Sequence, residues 1–505
     1  MKGKLYGYNI IDVCSVSNGR GAIYYCIPEG FRWKWLILLS FIFVYASSTF
    51  GVLFILLTSG IVYFSARKIE KTSDAQEKKR VLLMTMILCF SVLIVLKYVV
   101  ALPIFEKHTV LLDGAQQSVQ EFVRMYLFPV GISYYTLQIV SYLLDVYWER
   151  IQAEQDYLKV LLFTCYFPQL VQGPISKYSE LAPELFKQHP FEWKNLKYGV
   201  QLMLWGFFKK MVIADRIGVV VNNIFYSGVA PQGFEVVLGL FLYGFQLYGN
   251  FSGGIDVIRG ASECLGIQMT ENFKQPFFSK SVSEFWRRWH ISLGRWMKDY
   301  VFYPFSISKA MNKAKKSLKK TIGRKNATKI VMAVANILVF ALVGIWHGLG
   351  TNNLGWGLYY GLLLALGILL EDQCINWKKK LKINSSSQYW EIFSLVRTFI
   401  LVTLGWAFDC STSASGAIKL IVNIISFKAP DFSVVNMTTV ELIVWIAAIV
   451  ILWYVDICHE KGRSLREELS KKNYWVQVFV WVVVIQMIAC FGRIPDAGGF
   501  IYENF

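Results

Sequence analysis

Two long apolar runs, residues 329–343 and 354–370, are separated only by a short stretch that contains Gly344-Ile345-Trp346-His347-Gly348. A helix needs about 20 predominantly apolar residues to cross a bilayer. Two such runs in succession, joined by a glycine-rich turn, commit this part of the chain to a membrane hairpin. Similar runs recur from residue 33 to residue 489. Backbone groups in hydrocarbon must be satisfied within each segment, which leaves helices as the spanning element. The expected fold is therefore an all-α polytopic membrane protein with about 10–12 spanning or re-entrant helices. Composition agrees. Charged residues are 17% of the 505, against about 25% in soluble proteins. Seventeen Trp and 27 Tyr suit two membrane interfaces, where aromatic side chains anchor.

The net charge of +18 does not point to nucleic acid. The basic residues gather at 66–80, 306–329, 373–388 and 459–473, between apolar runs, as the positive-inside rule expects of cytoplasmic loops. The segment 309–329 has nine Lys or Arg and no acid. It reads as a solvated loop, with anionic lipid headgroups or an acidic partner as the alternative. Residues 1–30 are mixed and polar and lack the basic and apolar regions of a secretory signal. Residues 31–505 are expected to form a single membrane-embedded domain. The nine cysteines are scattered, so neither a disulfide framework nor a zinc site is expected.

Polar residues inside apolar runs mark where protein or water replaces lipid. Ser133, Tyr134, Tyr135, Gln138, Ser141 and Asp145 do so along 122–147. The stretch 166–175, with two prolines and two glutamines, is expected to be re-entrant or a surface turn. Lys209, Lys210, Asp215 and Arg216 interrupt the run 196–226 and read as its cytoplasmic shoulder. Asn250, Ser252 and Asp256 sit beside Gly253 and Gly254, either as a small-residue packing site or as a polar wall of a cavity. Residues 281–305 combine aromatics with Arg287, Arg288 and Arg295, which suits one amphipathic helix in the interface, capped by Ser281 or Ser283. Trp286, Trp289 and His290 fall close together on such a helix. His290 is then either incidental or functional.

His347 follows the cytoplasmic Lys329 by about 18 residues, roughly 27 Å of helix. It should lie near the outer tip of a hairpin whose feet are cytoplasmic. Ionisable groups at that depth are rare and usually functional. A neutral imidazole there has the chemistry of a general base toward a hydroxyl. Asn336, Asn352 and Asn353 are close in sequence and suit orientation of the ring or stabilisation of an oxyanion. No phosphate-binding Walker loop and no Gly-x-Ser-x-Gly elbow is present.

A set of segments spread along the chain resembles the membrane-bound O-acyltransferases, in particular their alginate O-acetyltransferase-like branch. They are Gly131-Ile-Ser-Tyr-Tyr-Thr, Phe167-Pro-Gln-Leu-Val-Gln-Gly-Pro-Ile, Phe251-Ser-Gly-Gly-Ile-Asp, Glu271-Asn-Phe-Lys-Gln-Pro-Phe, Glu284-Phe-Trp-Arg-Arg-Trp-His, Gly344-Ile-Trp-His-Gly, Gly405-Trp-Ala-Phe and Phe500-Ile-Tyr. The resemblance implies a ring of helices around a central tunnel. It implies that His347 and His290 are catalytic, with Trp346, Trp286, Trp289, Asp256 and Asn353 supporting them or lining the tunnel. It further implies acetyl-CoA or an acyl carrier as the cytoplasmic donor, with no tightly bound cofactor and no metal. The acceptor would be an extracytoplasmic polysaccharide, reached directly or through a hydrolase-like partner acyltransferase, in a bacterial cell membrane. D-alanyl transfer to teichoic acid is the neighbouring alternative. An exporter of glycan or solute without acyl transfer is the alternative from another class, against which the absence of an internal repeat argues. Residues 1–30 depart from the branch, which starts with an apolar helix, and Asn250 stands where the branch often has an acid.

Overall fold

The computed structural model describes residues 23–102, 104–105, 108–112, 115–426, 435 and 437–493, with backbone alone at 109–112, 115–117 and 124. The Phe500-Ile-Tyr segment and most of the polar segment 1–30 lie outside the described residues. Apart from one antiparallel hairpin, Thr109–Leu112 with Ala115–Ser118, the regular structure is helical. Among the described residues five helices are long and apolar enough to cross a membrane: Gly51–Lys71, Ala75–Val99, Lys309–His347, Thr439–Glu460 and Tyr474–Phe491. The number rises to seven if each of two bent pairs is one span. Several runs are broken by π turns, as at Phe208–Ala214, or end after nine residues, as at Tyr157–Cys165.

Two compact units divide the chain. Among the described residues, the first comprises those up to Phe207 and Gly253–Thr270; the second comprises Phe208–Ser252 and those from Glu271 onward. In the first, the helix Ile132–Tyr147 is buried along almost its whole length. Its polar side chains face protein, as expected. Gln138 donates to the Phe163 carbonyl and accepts from Gln169 Nε2 at 2.8 Å. The stretch after Tyr166 forms a short helix, Phe167–Gln172, with every residue buried and Pro168 in its first turn. Irregular backbone at this point is therefore covered by protein. Gly131 opens the preceding helix at φ 74°, and a side chain there would run into the Leu170 carbonyl.

The second unit contains the hairpin. The helices Lys309–His347 and Thr351–Leu369 are joined by a three-residue turn. They approach closely because a Cβ on Gly344 would overlap the Asn353 carbonyl, and one on Gly357 would overlap the Phe340 carbonyl. Small residues permit such contact where no hydrophobic force drives helices together. Gly357→Val should destabilise the protein by about 1–3 kcal/mol through overpacking. The observable is the thermal transition in detergent, and an unchanged transition would show that the helices do not meet at this distance.

Two findings bear on the sequence expectations. The basic segment 309–329 is not a loop but continues helically to His347, with one break at Gly323 (φ 81°, ψ 163°). Its Lys, Arg and Ala residues are good helix formers. Lys325 and Lys329 bridge to Glu371 and Asp372 at 2.7–3.0 Å, which ties the feet of the hairpin together. Likewise, part of 373–388 is helical, within Glu371–Lys380, set 57° from the preceding helix. The second finding concerns the expected shoulder, where Lys209, Lys210 and Asp215 are buried in protein. The π turn Phe208–Ala214 carries the two lysines and Asp215 opens the helix that follows, and the extra residue per turn re-aims side chains that an α-helix would point elsewhere. Lys210 pairs with Asp215 at 3.0 Å, and Lys209 donates to Ser252 at 2.9 Å, so neither ammonium is buried alone.

Candidate active site

Residues 281–305 do not form one interface helix. They break into Val282–Arg288, Ile291–Met297, a π turn Lys298–Phe302 and Tyr303–Ser306. Ser281 caps the first by accepting from Glu284 N at 3.1 Å, and Glu284 then pairs with Arg288 at 2.7 Å. Trp289 is extended, and His290 is left-handed at φ 46°, ψ 52°, at the N-cap of the next helix. Two Arg in the last turn of the first helix and a non-Gly residue at positive φ mark a designed break, of a kind that clusters at functional sites.

Asn272 holds this break in place. Its Oδ1 accepts from Ser292 N at 2.9 Å and lies 3.3 Å from His290 Nδ1, while its carbonyl accepts from Ile291 N at 3.0 Å. Asn272 is wholly buried and His290 is 4% exposed. Because Oδ1 is an acceptor toward Ser292, a hydrogen bond from the ring requires the proton on Nδ1. That leaves Nε2 as the basic nitrogen, buried and without a hydrogen-bond partner among the described residues. Burial also pushes the imidazole down to about 3, so the ring is neutral at every working pH.

His347 is the last residue of the helix Lys309–His347 and is half-buried. Its ring sits 5.0 Å from Trp346 and 5.5 Å from Trp356, in edge contacts. Gly348 and Gly344 leave room beside it for Asn353, which packs against both glycines through its side chain and carbonyl respectively. The two histidines are joined by aromatic contacts within the second unit. Trp356 meets Trp286 at 5.4 Å. Trp286 meets Phe285 at 5.2 Å, and Phe285 stacks on Trp289 at 5.4 Å. Trp289 meets Phe273 at 5.0 Å, Phe273 meets Phe251 at 4.9 Å, and Phe251 meets the His290 ring at 4.8 Å.

Of the residues singled out in the sequence, Trp286, Trp289, His290, Trp346, His347 and Asn353 thus belong to one aromatic framework or pack directly on it. Asp256 lies in the first unit and pairs with Arg259 one helical turn on, at 3.7 Å. Asn272 and Asp409 were missed. Asn272 lies in a recognised segment, but nothing in Glu271-Asn-Phe distinguishes a loop amide that reaches forward to His290. Asp409 follows Gly405-Trp-Ala-Phe directly and bonds Trp356, the residue against His347. Burial pushes its carboxyl up to about 8, against the opposing pull of the indole. An acid three residues beyond a Trp was the available signal.

Chemically, the arrangement offers a neutral imidazole fixed in one tautomer, a second imidazole at the end of a membrane-crossing helix, and aromatic walls that exclude water. Among the described residues no three His, Cys, Asp or Glu side chains converge as metal ligands would.

Comparisons with known proteins fit these features. The model of the MBOAT, membrane-bound O-acyltransferase family matches residues 39–410. The chain is 30% identical over 310 residues to a protein named probable alginate O-acetylase AlgI from Pseudomonas syringae pv. tomato, covering 61% of this chain and 54% of that one. It is 27% identical over 421 residues to a peptidoglycan O-acetyltransferase of Helicobacter pylori, covering 78% and 74%. It is 31% identical over 286 residues to a teichoic acid D-alanyltransferase of Bacillus subtilis, covering 55% and 67%. The match spans about half the length of the alginate relative.

Proposed function

The chain belongs to the membrane-bound O-acyltransferase family, and from that premise we propose that it transfers an acetyl group from cytoplasmic acetyl-CoA to a hydroxyl of an extracytoplasmic cell-surface polysaccharide. The observation that carries this reading is the position of His347, half-buried against Trp346 and Trp356 at the end of a helix long and apolar enough to cross a membrane. The basic segments lie in the cytoplasm, as the charge rule directs. The donor therefore enters from the side of Lys329, and the acceptor meets His347 from the other.

In the reaction, the His347 imidazole takes the proton of the acceptor hydroxyl as its oxygen attacks the acetyl carbonyl. The new C–O bond forms, the thioester C–S bond breaks, and the coenzyme A thiolate takes the proton back from the imidazolium. His290, neutral and held by Asn272, shapes the donor side, with Trp286 and Trp289 as its wall. Asn353 lies where an amide can steady the developing oxyanion. The acceptor hydroxyl belongs either to the glycan itself or to a hydrolase-like extracytoplasmic partner that passes the acetyl group on to it.

A second reading, D-alanyl transfer to teichoic acid from a carrier protein, is favoured by the similarity to the Bacillus subtilis protein and by the basic helical end after Lys309. Purified protein in vesicles with surface glycan outside and either radiolabelled acetyl-CoA or D-alanyl carrier inside separates the two. Label from acetyl-CoA on the glycan is the expected result. Label only from the carrier would replace acetyl by D-alanyl, and glycan crossing without any donor would make the protein an exporter.

A further inference from the structure

A cavity of about 520 Å³ in the second unit includes neither His290 nor His347 in its lining. One wall is the serine turn Ser385-Ser386-Ser387 with the first turns of the helix Gln388–Gly405, and the others carry Lys280 and Lys378. Three cations, Lys280, Lys378 and Arg397, face one acid, Glu391. Glu391 is taken by Lys280 at 2.6 Å. Lys378 holds its ammonium 4.6 Å over the Trp390 ring, and Arg397 uses one N–H on the Lys280 carbonyl at 2.8 Å. Neither Lys378 nor Arg397 forms an ion pair among the described residues, so two positive charges remain for something else.

The serine turn is fixed from within. Ser386 N donates to Asn384 Oδ1 at 2.9 Å, and Ser387 Oγ accepts from Trp390 N at 3.2 Å. The hydroxyls of Ser385 and Ser386 are left exposed at the cavity. The amino end of the 18-residue helix adds its dipole in the same sense. A guanidinium, an ammonium and a cluster of hydroxyls suit phosphate oxygens, whereas a carboxylate would use only part of them. The volume falls in the range of about 300–1,000 Å³ that small-molecule sites occupy, which is far more than an inorganic ion fills.

We propose that this cavity binds a phosphate ester. Its walls come from the basic segment 373–388, so under the proposed orientation it opens on the cytoplasmic side. Two phosphate esters are abundant there: anionic lipid headgroups and the phosphates of coenzyme A. Arg397 and Lys378 grip the phosphate, and the serine hydroxyls donate to its remaining oxygens. The orientation rests on the proposed function, but the binding chemistry does not.

The test uses the full chain in nanodiscs of neutral phosphatidylcholine and the variant Lys378→Gln/Arg397→Gln. Coenzyme A binding is read by calorimetry, and retention of phosphatidylglycerol doped into the disc is read by native mass spectrometry. The expected result is a loss of at least about tenfold in one of the two, accompanied by weakening with salt in the wild type. A loss for coenzyme A assigns the donor's phosphates, and a loss for phosphatidylglycerol assigns a headgroup. If the double variant does not fold, Lys378→Gln alone, which removes no backbone contact, should weaken the same ligand about threefold. Wild-type binding of both probes by the folded variants would overturn the proposal. No acceptor is present, so acyl transfer is neither required nor tested by this measurement.

Discussion

His347→Ala should reduce acyl transfer by about 10²–10⁴-fold, the range a general base supplies, while the protein still inserts and melts cooperatively. The expectation follows from where the residue stands. It closes a 39-residue helix, its ring meets Trp346 and Trp356 edge-on, and Gly348 N closes the turn by donating to the Gly344 carbonyl at 3.1 Å. Ala extends a helix at least as well as His. The two edge contacts are worth about 0.5–1.5 kcal/mol each, so normalising to folded protein separates their loss from the loss of the base. His347→Gln sharpens the test, because it restores volume and a hydrogen-bonding group but no base. Transfer from labelled acetyl-CoA to surface glycan, normalised to folded protein, is the measurement. Wild-type rates in both variants would remove His347 from the reaction.

The hairpin that carries His347 was legible in the sequence because every cue to it is local. Apolar length, the basic foot at Lys329 and the glycines at the tip all lie in one continuous stretch of chain, read at a constant helical pitch. The inward polar face of Ile132–Tyr147 was legible for the same reason. What was not legible depends on a change of helical register or on contacts distant in sequence. The π turn Phe208–Ala214 reverses where Lys209 and Lys210 point, and periodicity assumes a constant pitch. At Trp289-His290 the helical spacing rule predicts neighbours on one face. The chain instead breaks there, and the aromatic rings meet through Phe285, Phe273 and Phe251, drawn from three separate segments. Asp256 has a cation within reach at i+3, Arg259, at 3.7 Å, a pairing that its spacing in the sequence already allows.

Asn272 is the residue on which that second histidine depends, and two substitutions there should behave differently. Asn272→Leu removes the acceptor for Ser292 N and for His290 Nδ1. Both donors are buried, and an orphaned donor costs about 1–3 kcal/mol, so the thermal transition should fall and activity with it. That outcome alone would also suit a purely structural amide. Asn272→Asp keeps the acceptor oxygens but sets a negative charge beside the ring, which favours the imidazolium. In the wild type, burial holds His290 down to about 3, below its ordinary 6.5. Its contribution to stability is therefore complete above about 6.5 and is lost as the pH falls toward 3. The added carboxylate raises the folded-state value, so this acid-side loss becomes smaller in Asn272→Asp. If the basic Nε2 of His290 faces the donor, activity moves the opposite way. Protonation now removes the lone pair near neutrality, and the acid limb of the rate profile rises by a pH unit or more while the folded protein becomes less acid-sensitive. A merely structural asparagine would shift stability without moving the rate profile. An Asn272→Asp enzyme with the wild-type pH profile would therefore leave His290 as packing, and His347 as the one histidine with a chemical role.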